Sequence, residues 1–298
     1  MKNKPLVALV LAGSLFAQVG FGMVQVKGSD TMVNLAQKLA EVYMQKNPND
    51  KIAVTGGGSG TGVAALINSK CDIANSSRSM KDKELKKAKE KGVEVKEIAV
   101  AVDALSIVVN DGNPLTSISK ESLAAIYKGE VTNWKEVGGP DLAISLYGRQ
   151  PNSGTFDFFR EHVLAGEYSN KMAQMNGTSQ IVDAVRQDNG GIGYAGVGYV
   201  VDNGKPVKGI KILPVSEKDG DKAYSPLDEK NIYSGKYPIA RALFQYVDGA
   251  PKGVAKSFIE FELSDEGQKL VEAEGFYRVK GKFADANTAI YSKKTKVF

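Results

Sequence analysis

Short apolar runs alternate with polar, glycine-containing loops along the first third of the chain. Apolar strands are predicted at 24–26, 52–54 and 73–74, and each is followed by a loop of Ser, Thr, Gly or Asn residues. After the first loop, apolar residues return at helical spacing, beginning with Met32 and Leu35. The repetition of strand, polar loop and helix predicts an α/β unit built on a parallel sheet.

The chain then builds a second α/β unit, and a strongly apolar strand predicted at 240–247 is expected to cross back to the first. We therefore predict an α/β fold of two lobes, with crossover strands and a ligand cleft between the lobes. Lobe I is predicted to comprise residues 23–104 and 236–298, and lobe II residues 105–235. Ligands of such sheets bind outside the carboxyl ends of the strands, where the polar loops are expected to lie.

Residues 1–22 have the pattern of a cleavable export signal. Lys2 and Lys4 precede an apolar stretch at 6–19, and small residues lead up to Gly22, near which we expect cleavage. The stretch is too short and too interrupted for a membrane anchor. A buried N-terminal helix is the alternative, but the apolar residues show no amphipathic period.

The composition argues against several classes of function. The formal net charge of +5, lowered by two if the signal is removed, favours anions but is too small to indicate nucleic acid. Cys71 and His162 are the only residues of their types, so we expect no disulfide, no zinc or copper site and no cofactor. A Ser-His-Asp centre would need His162, which is predicted on a helix face, so we expect no catalytic residues.

Three loops place Ser or Thr together with Gly directly before a predicted helix. The free N–H groups of a helix N-terminus suit an oxyanion, glycine allows close approach, and hydroxyls add uncharged donors. Simple helix capping is the alternative for any one loop. The candidate ligand residues in these loops are Ser29, Asp30, Thr31, Ser59, Gly60, Ser153, Gly154 and Thr155.

Two arginines and one acid complete the candidate site. Arg149 precedes Ser153 by four residues and is suited to bidentate contact with phosphate, with a surface ion pair as the alternative. Ser77 is a further candidate ligand, and Arg78, which follows it, either binds the anion or holds Asp103 or another acid across the cleft. Asp103 interrupts an apolar run, where it either pairs with Arg78 or accepts the proton of hydrogen phosphate. A proton acceptor at Asp103 or Asp30 would disfavour sulfate.

In their order and spacing, these loops and charged residues resemble those of the PstS family, the periplasmic phosphate-binding components of phosphate-specific ABC transporters. The resemblance implies the type II periplasmic binding fold, a periplasmic monomer, inorganic phosphate as ligand and ABC permease membrane subunits as partners. It also carries ligand roles onto Ser29, Thr31, Ser59, Arg149, Ser153, Gly154 and Thr155. The matching stretches are 28–31, 56–62, 76–78, 101–103, 129–134, 149–155, 191–194 and 263–270.

The chain also departs from the family pattern. Some members carry an aspartate in the third loop, where this sequence has Ser76, Ser77 and Arg78. Alternatives therefore stay open: a binding protein for sulfate, molybdate or tungstate, a phosphatase-like enzyme, or an adhesion role suggested by the basic tail after Lys280. Our prediction is a phosphate-binding protein that is not an enzyme.

Overall fold

A computed structural model describes residues 22–285 and Asn287. The predicted signal, apart from Gly22, and the basic tail after Asn287 lie outside the described residues. Within that described part, no helix combines the length and apolar character needed to cross a bilayer.

The strands follow the apolar runs of the sequence. In chain order they are β1 Val24–Gly28, β2 Ile52–Thr55, β3 Ile73–Ser76, β4 Val95–Ala104, β5 Ser106–Asn110, β6 Ile118–Ser119, β7 Ser145–Arg149, β8 Ala173–Met175, β9 Gly191–Ala195, β10 Val201–Asp202, β11 Lys205–Pro206, β12 Ile210–Leu213, β13 Val215–Ser216 and β14 Ala240–Asp248. Strands β12 and β13 are separated at Pro214, which has no N–H to donate to a ladder.

The helices lie between these strands. They are α1 Val33–Lys46, α2 Ser59–Ile67, α3 Asp82–Glu90, α4 Lys120–Lys128, α5 Gly154–Phe159, α6 Thr178–Gln187, α7 Glu229–Tyr233, α8 Gly253–Leu263 and α9 Asp265–Ala273. Helix α5 continues directly into a π-helical turn, Arg160–Leu164. A short 3-10 helix, Val197–Tyr199, follows β9.

Two five-stranded sheets form the centres of two lobes. The lobe I sheet has the order β2-β1-β3-β14-β4, and the lobe II sheet has the order β12-β5-β9-β7-β8. The chain passes from lobe I to lobe II between β4 and β5 and returns before β14, which agrees with the predicted crossover strand. The residue boundaries of the lobes stay a prediction.

The lobe I sheet is only partly parallel. Strands β2, β1 and β3 are parallel, as predicted, but β14 runs antiparallel to both β3 and β4. This arrangement brings Arg241 of β14 directly opposite Asp103 of β4. Both positions lie where strands cross between the lobes.

The core covers both faces of the lobe I sheet. Residues 98–104 of β4 are all buried, which explains their nearly continuous apolar sequence. Strand β1 instead alternates, with Val24 and Val26 buried and Gln25 and Lys27 partly exposed. Burying an apolar side chain of this size stabilises the fold by about 1.5–3 kcal/mol. The rigid sheet therefore fixes the positions of the loops at its carboxyl edge.

The outer edge of β4 is covered by the C-terminal segment. Val102 exchanges two backbone hydrogen bonds with Tyr277, at 2.8 and 2.9 Å. The side-chain amide of Asn287 both donates to the carbonyl of Ala99 and accepts from its N–H, each over 2.8 Å. These contacts satisfy backbone groups that a sheet edge otherwise leaves unpaired.

Candidate functional site

Three hydroxyl residues of lobe I meet at the carboxyl ends of neighbouring strands. Thr31 follows β1, Ser59 opens α2 after β2, and Ser77 follows β3. The Ser77 N–H donates to Ser59 Oγ over 3.1 Å, and the two hydroxyl oxygens are 3.3 Å apart. Because β1 is parallel to both β2 and β3, their carboxyl ends share one edge of the sheet.

Lobe II contributes a fourth hydroxyl, that of Thr155 in the first turn of α5. Its Oγ1 lies 2.8 Å from Thr31 Oγ1 and 3.3 Å from Ser77 Oγ. All four hydroxyl residues are at most 2% exposed. We call Thr31, Ser59, Ser77 and Thr155 the hydroxyl cluster.

Helix capping accounts for only one of the three predicted loops. Ser153 caps α5, since its Oγ accepts from the N–H groups of Thr155 and Phe156. In the described chain, no side-chain hydrogen bond caps α1 or α2. The hydroxyls of Thr31 and Ser59 instead take part in the cluster. Ser29 is also buried, and its Oγ has no hydrogen-bond partner among the described residues.

Glycines allow the lobes to come this close. A methyl group on Gly154 would lie 2.7 Å from Ser77 Oγ and still closer to Ser59 Oγ, a spacing that real side chains do not adopt. The N–H of Gly60 donates to the carbonyl of Asn152 across the cleft over 3.0 Å. The loops of the two lobes thus contact each other through backbone atoms, and residues without bulky side chains are needed at Gly60 and Gly154 for this close approach.

An arginine from the crossover strand reaches the hydroxyl cluster. Arg241 donates from Nε and Nη2 to Asp103 Oδ2 over 3.1 and 2.9 Å. It also donates to Thr155 Oγ1 and to the carbonyl of Ser77, each over 3.0 Å. Asp103 Oδ1 accepts the N–H of Val197 from lobe II over 2.9 Å. The Arg241–Asp103 pair in the lobe I sheet therefore contacts both sides of the cleft: Ser77 on the lobe I side, and Thr155 and Val197 on the lobe II side.

The Arg241–Asp103 pair is deeply buried, with 5% and 0% exposure. Burial lowers the pKa of Arg241, and the charge and hydrogen bonds of Asp103 oppose that shift. The guanidinium also lies over the ring of Phe158, 4.9 Å from its centroid. Such a group, held rigid and poorly hydrated, is suited to bind an anion strongly.

Arg149, predicted as an anion ligand, spans the cleft to a carboxylate. It is 1% exposed and its Nη2 donates to Asp30 Oδ2 of lobe I. Its remaining contacts are with the carbonyls of Met175 and Asn176, at 3.2 and 2.9 Å, and with Thr178 Oγ1, at 3.0 Å. Whether it also contacts an anion stays a prediction.

Arg78 holds an acid across the cleft, but that acid is not Asp103. Its Nε donates to Asp157 Oδ2 of lobe II over 3.0 Å, and Nη1 and Nη2 each donate to Glu84 over 2.8 Å. Burial acts to lower the pKa of Arg78, but hydrogen bonds and charges from Glu84 and Asp157 outweigh it and raise that pKa. Among the described residues, Asp103 has Arg241 as its ion-pair partner instead.

Arg241 was missed at the sequence level, although a signal for it existed. Arg241 is the only charge within residues 240–247, which are otherwise apolar except for Gln245, just as Asp103 is the only acid in its own apolar run. Two opposite charges that interrupt two buried strands are expected to pair. The register that places them opposite each other was not visible in the sequence.

His162 Nδ1 lies 3.0 Å from the carbonyl of Phe158, in the turn that follows α5, and the ring stacks on that of Phe158. The described part of the chain holds no group of three or more His, Cys, Asp or Glu residues arranged for a metal ion.

A cavity of about 760 Å³ lies against 197–204 and 272–277, and the hydroxyl cluster is not part of its lining. The residues that line it include four acids, Asp202, Glu229, Glu272 and Glu274. A negative lining disfavours an anion, so the cluster is the better candidate for anion binding.

Two α/β lobes with crossover strands, and buried donors meeting between them, define a solute-binding protein. The PBP superfamily domain matches residues 17–266. Protein SphX of Synechococcus elongatus is 34% identical over 293 residues, which cover 93% of this chain and 85% of that protein. The phosphate-binding protein PstS of Pseudomonas aeruginosa is 32% identical, over 87% of this chain and 83% of its own length.

Solved structures agree with these relatives. A phosphate ABC transporter substrate-binding protein from Clostridium perfringens, with bound phosphate, superimposes with a TM-score of 0.75 at 28% identity, covering 87% of this chain and all of that one. An ABC-type phosphate transport receptor from Vibrio cholerae gives a TM-score of 0.67 at 28% identity, over 85% of this chain and 99% of its own. The chain therefore belongs to the PBP superfamily and, within it, to the family of PstS phosphate-binding proteins.

Proposed function

We propose that this protein binds inorganic phosphate between its two lobes, at the hydroxyl cluster, as the solute-binding component of an ABC importer. The observation that carries the proposal is the meeting of Thr31, Ser59 and Ser77 with Thr155 beside the buried guanidinium of Arg241. Uncharged donors from both lobes together with one buried cation suit a tetrahedral oxyanion.

Arg241 supplies the positive charge in this proposal. Within the described chain, its contacts use four of its five N–H groups and leave one Nη1 N–H for a ligand. Ser29 Oγ, which has no partner among the described residues, would supply a further hydroxyl. Gly154 would contribute its backbone N–H at the start of α5. The N–H groups of Gly60 and Ser153 instead donate to the carbonyls of Asn152 and Gln150, over 3.0 and 2.9 Å.

We assign the acceptor for the proton of hydrogen phosphate to Asp103. Arg241 links Asp103 to Thr155 of the cluster, whereas Asp30 contacts Arg149 and the N–H of Gly57. Sulfate carries no proton at neutral pH and would leave a carboxylate oxygen facing its own negative charge. Phosphate is therefore expected to bind more tightly than sulfate.

The partners and the location follow from the family. PstS-family binding proteins are periplasmic, and we propose that the mature protein acts in the periplasm as a monomer and delivers phosphate to permease membrane subunits. The family is one of solute-binding proteins, not of enzymes, and we propose that this member turns over no phosphoester. Lasting phosphoester hydrolysis by the purified protein, lost in Ser59→Ala, would contradict that part of the proposal.

Titration calorimetry on the mature chain tests phosphate binding. We expect phosphate to bind more tightly than sulfate or molybdate, and Thr155→Val to weaken phosphate binding about 10- to 100-fold, because one hydrogen bond to a charged group is lost. Thr132→Val, at an exposed position of the same lobe, is the matched control and should bind like the wild type. Tighter binding of sulfate, or an unchanged affinity in Thr155→Val, would contradict the proposal.

A further inference from the structure

Ion pairs join the two lobes at two separate places beside the hydroxyl cluster. At the first, Arg78 and Lys81 of lobe I contact Asp157 of lobe II, at 3.0 and 2.6 Å. At the second, Asp30 of lobe I pairs with Arg149 of lobe II. The side chains of the hydroxyl cluster take part in neither set of ion pairs.

The charges at the first place are buried. Asp157 is 4% exposed and Arg78 is 7% exposed, while Lys81 is partly exposed at the rim. A buried carboxylate without cations around it is costly. Closing the cleft brings Arg78 and Lys81 to Asp157 and so supplies two of those cations.

Each half of this network keeps a partner of its own when the lobes separate. Arg78 stays bound to Glu84, 2.8 Å away in lobe I, and Asp157 stays next to Arg160, 3.4 Å away in lobe II. Hydrogen bonds from Arg78 and the N–H of Lys81 lower the pKa of Glu84 against the effect of its burial, so that carboxylate keeps its charge. Opening the cleft therefore leaves Arg78 and Asp157 each with an ionic partner, and the ammonium group of Lys81 lies at the partly exposed rim, where water can solvate it.

The second place has the same property. Arg149 keeps the carbonyls of Met175 and Asn176 within lobe II, and Asp30 keeps the N–H of Gly57, 2.7 Å away in lobe I. An ion pair whose halves are both satisfied when apart can form and break readily. The Asp30–Arg149 ion pair therefore stabilises the closed cleft and still allows the cleft to open.

We propose that Asp157, Arg78 and Lys81 form an electrostatic latch that stabilises the closed cleft and slows ligand release. They are positioning residues, and the latch holds the lobes together without touching the anion. The assignment of Arg78 as a phosphate ligand is thereby replaced by a role in closure. The effect on phosphate release rests on the proposed function, whereas the effect on closure does not.

Stopped-flow kinetics measure the effect on release. Asp157→Asn should raise the dissociation rate constant of phosphate about tenfold and leave the association rate constant nearly unchanged, as expected for a buried partner of an ion pair. Lys81→Met should raise the dissociation rate constant less. The double variant should release phosphate no faster than Asp157→Asn alone, because both changes remove the same contact. Asp183→Asn, which disturbs only the exposed pair with Arg186, is the matched control.

A ligand-free measurement keeps the latch testable if phosphate does not bind. Spin labels at cysteines replacing the exposed Lys86 and Asn170, with Cys71→Ser, report the distance between the lobes. We expect the closed fraction of the otherwise unchanged chain to fall as NaCl rises from about 0.05 to about 0.5 M, since salt screens the rim of the network. In Asp157→Asn the closed fraction should start lower and respond less to salt.

The outcomes separate the two proposals. An absence of phosphate binding by the wild type, together with a salt-dependent closed fraction that Asp157→Asn reduces, would overturn the function and support the latch. Tight phosphate binding, with equal closed fractions and equal dissociation rate constants in wild type and Asp157→Asn, would overturn the latch alone. A lower association rate constant and lower thermal stability in Asp157→Asn, with an unchanged closed fraction, would also overturn it.

Discussion

Two buried arginine–aspartate pairs lie close to the same hydroxyl cluster, but they are built in different ways. Arg241 and Asp103 face each other on neighbouring strands of one sheet, and both belong to lobe I. Arg78 and Asp157 belong to different lobes and meet only where the cleft is closed. The first pair is part of the framework, and the second depends on the arrangement of the lobes.

The two pairs differ in whether each charged group keeps another ionic partner when the pair is broken. In the part of the chain that the structure describes, Arg241 is the only cation paired with Asp103, so loss of Arg241 leaves a buried carboxylate with no counter-charge. Arg78 and Asp157 each have a second ionic partner. Because Asp103 has no second cation, the Arg241–Asp103 pair stays together and keeps the site rigid. Because Arg78 and Asp157 each have a second ionic partner, their pair can break when the two lobes separate.

The largest expected effect is that of Arg241→Ala. The change should lower the free energy of unfolding by about 3–5 kcal/mol, because Asp103 is left buried and unpaired, and should weaken phosphate binding more than about 100-fold. Urea denaturation and titration calorimetry measure the two quantities.

The double variant Arg241→Met with Asp103→Leu separates these two effects. It should recover much of the stability, since no charge is left buried, but not the affinity. Arg186→Ala, at an exposed pair, should change the stability by less than about 0.5 kcal/mol and serves as the control. Phosphate affinity within a few-fold of wild type in Arg241→Ala would remove this residue from the site.

A smaller effect is expected from Gly154→Ala, which should act on closure and leave the framework intact. The added methyl group would lie 2.7 Å from Ser77 Oγ and so keep the lobes apart. Calorimetry should show about tenfold weaker phosphate binding, or more, while the melting temperature without phosphate changes little. Gly177→Ala, where a methyl group meets nothing within 4 Å, is the matched control. Equal affinities in the two variants would show that the close approach at Gly154 is not needed.

The smallest effect at neutral pH concerns Glu262, a buried acid that forms no ion pair with any residue that the structure describes. Glu262 Oε1 accepts from Gln245 Nε2 over 3.1 Å, and Oε2 has no partner among the described residues. Burial raises the pKa of Glu262 well above its ordinary value of 4.5, and the hydrogen bond from Gln245 opposes this shift without cancelling it. The carboxyl is therefore protonated in the folded protein over a pH range in which the unfolded chain has lost the proton.

The sign of the pH dependence follows from this raised pKa. The stabilisation is fully present below pH 4.5 and is lost as the pH rises from there through the folded-state pKa. Urea denaturation across pH should show the wild type losing stability towards alkaline pH more steeply than Glu262→Gln. Glu260→Gln, an exposed acid on the same helix, should follow the wild type. Parallel curves for wild type and Glu262→Gln would show that the acid is ionised in the fold.

Much of the fold could be predicted from local patterns. The faces of an element that are buried carry apolar residues, so burial produces a periodic sequence pattern. This explains the alternation in β1, the apolar run of β4 and the helical spacing after Thr31. The crossing of β14 back into lobe I was predicted as well. The antiparallel direction of β14 was not, because strand direction depends on long-range pairing that periodicity does not encode.

The candidate site was predicted in its loops but not in its ion pairs. Ser59 and Thr155 stand out because Ser, Thr and Gly precede helices, which is a local signal. Arg78 was left between two roles, and Asp157 was not considered, because the pairing of two lobes depends on their closure. A lone Arg in a loop looks the same whether it binds a ligand or a carboxylate, so only the structure separates these readings.

The bidentate contact of Asn287 with Ala99 bears on how this protein can be handled in the laboratory. One side-chain amide stands in for a neighbouring strand at the rim of the lobe I sheet. A truncation before Asn287 would leave the N–H and carbonyl of Ala99 without this partner at the sheet edge. Unpaired backbone groups at a sheet edge can pair with a strand of another molecule, which leads to aggregation. A purification tag or a fluorescent fusion at this end should therefore be joined after Asn287, with this residue kept.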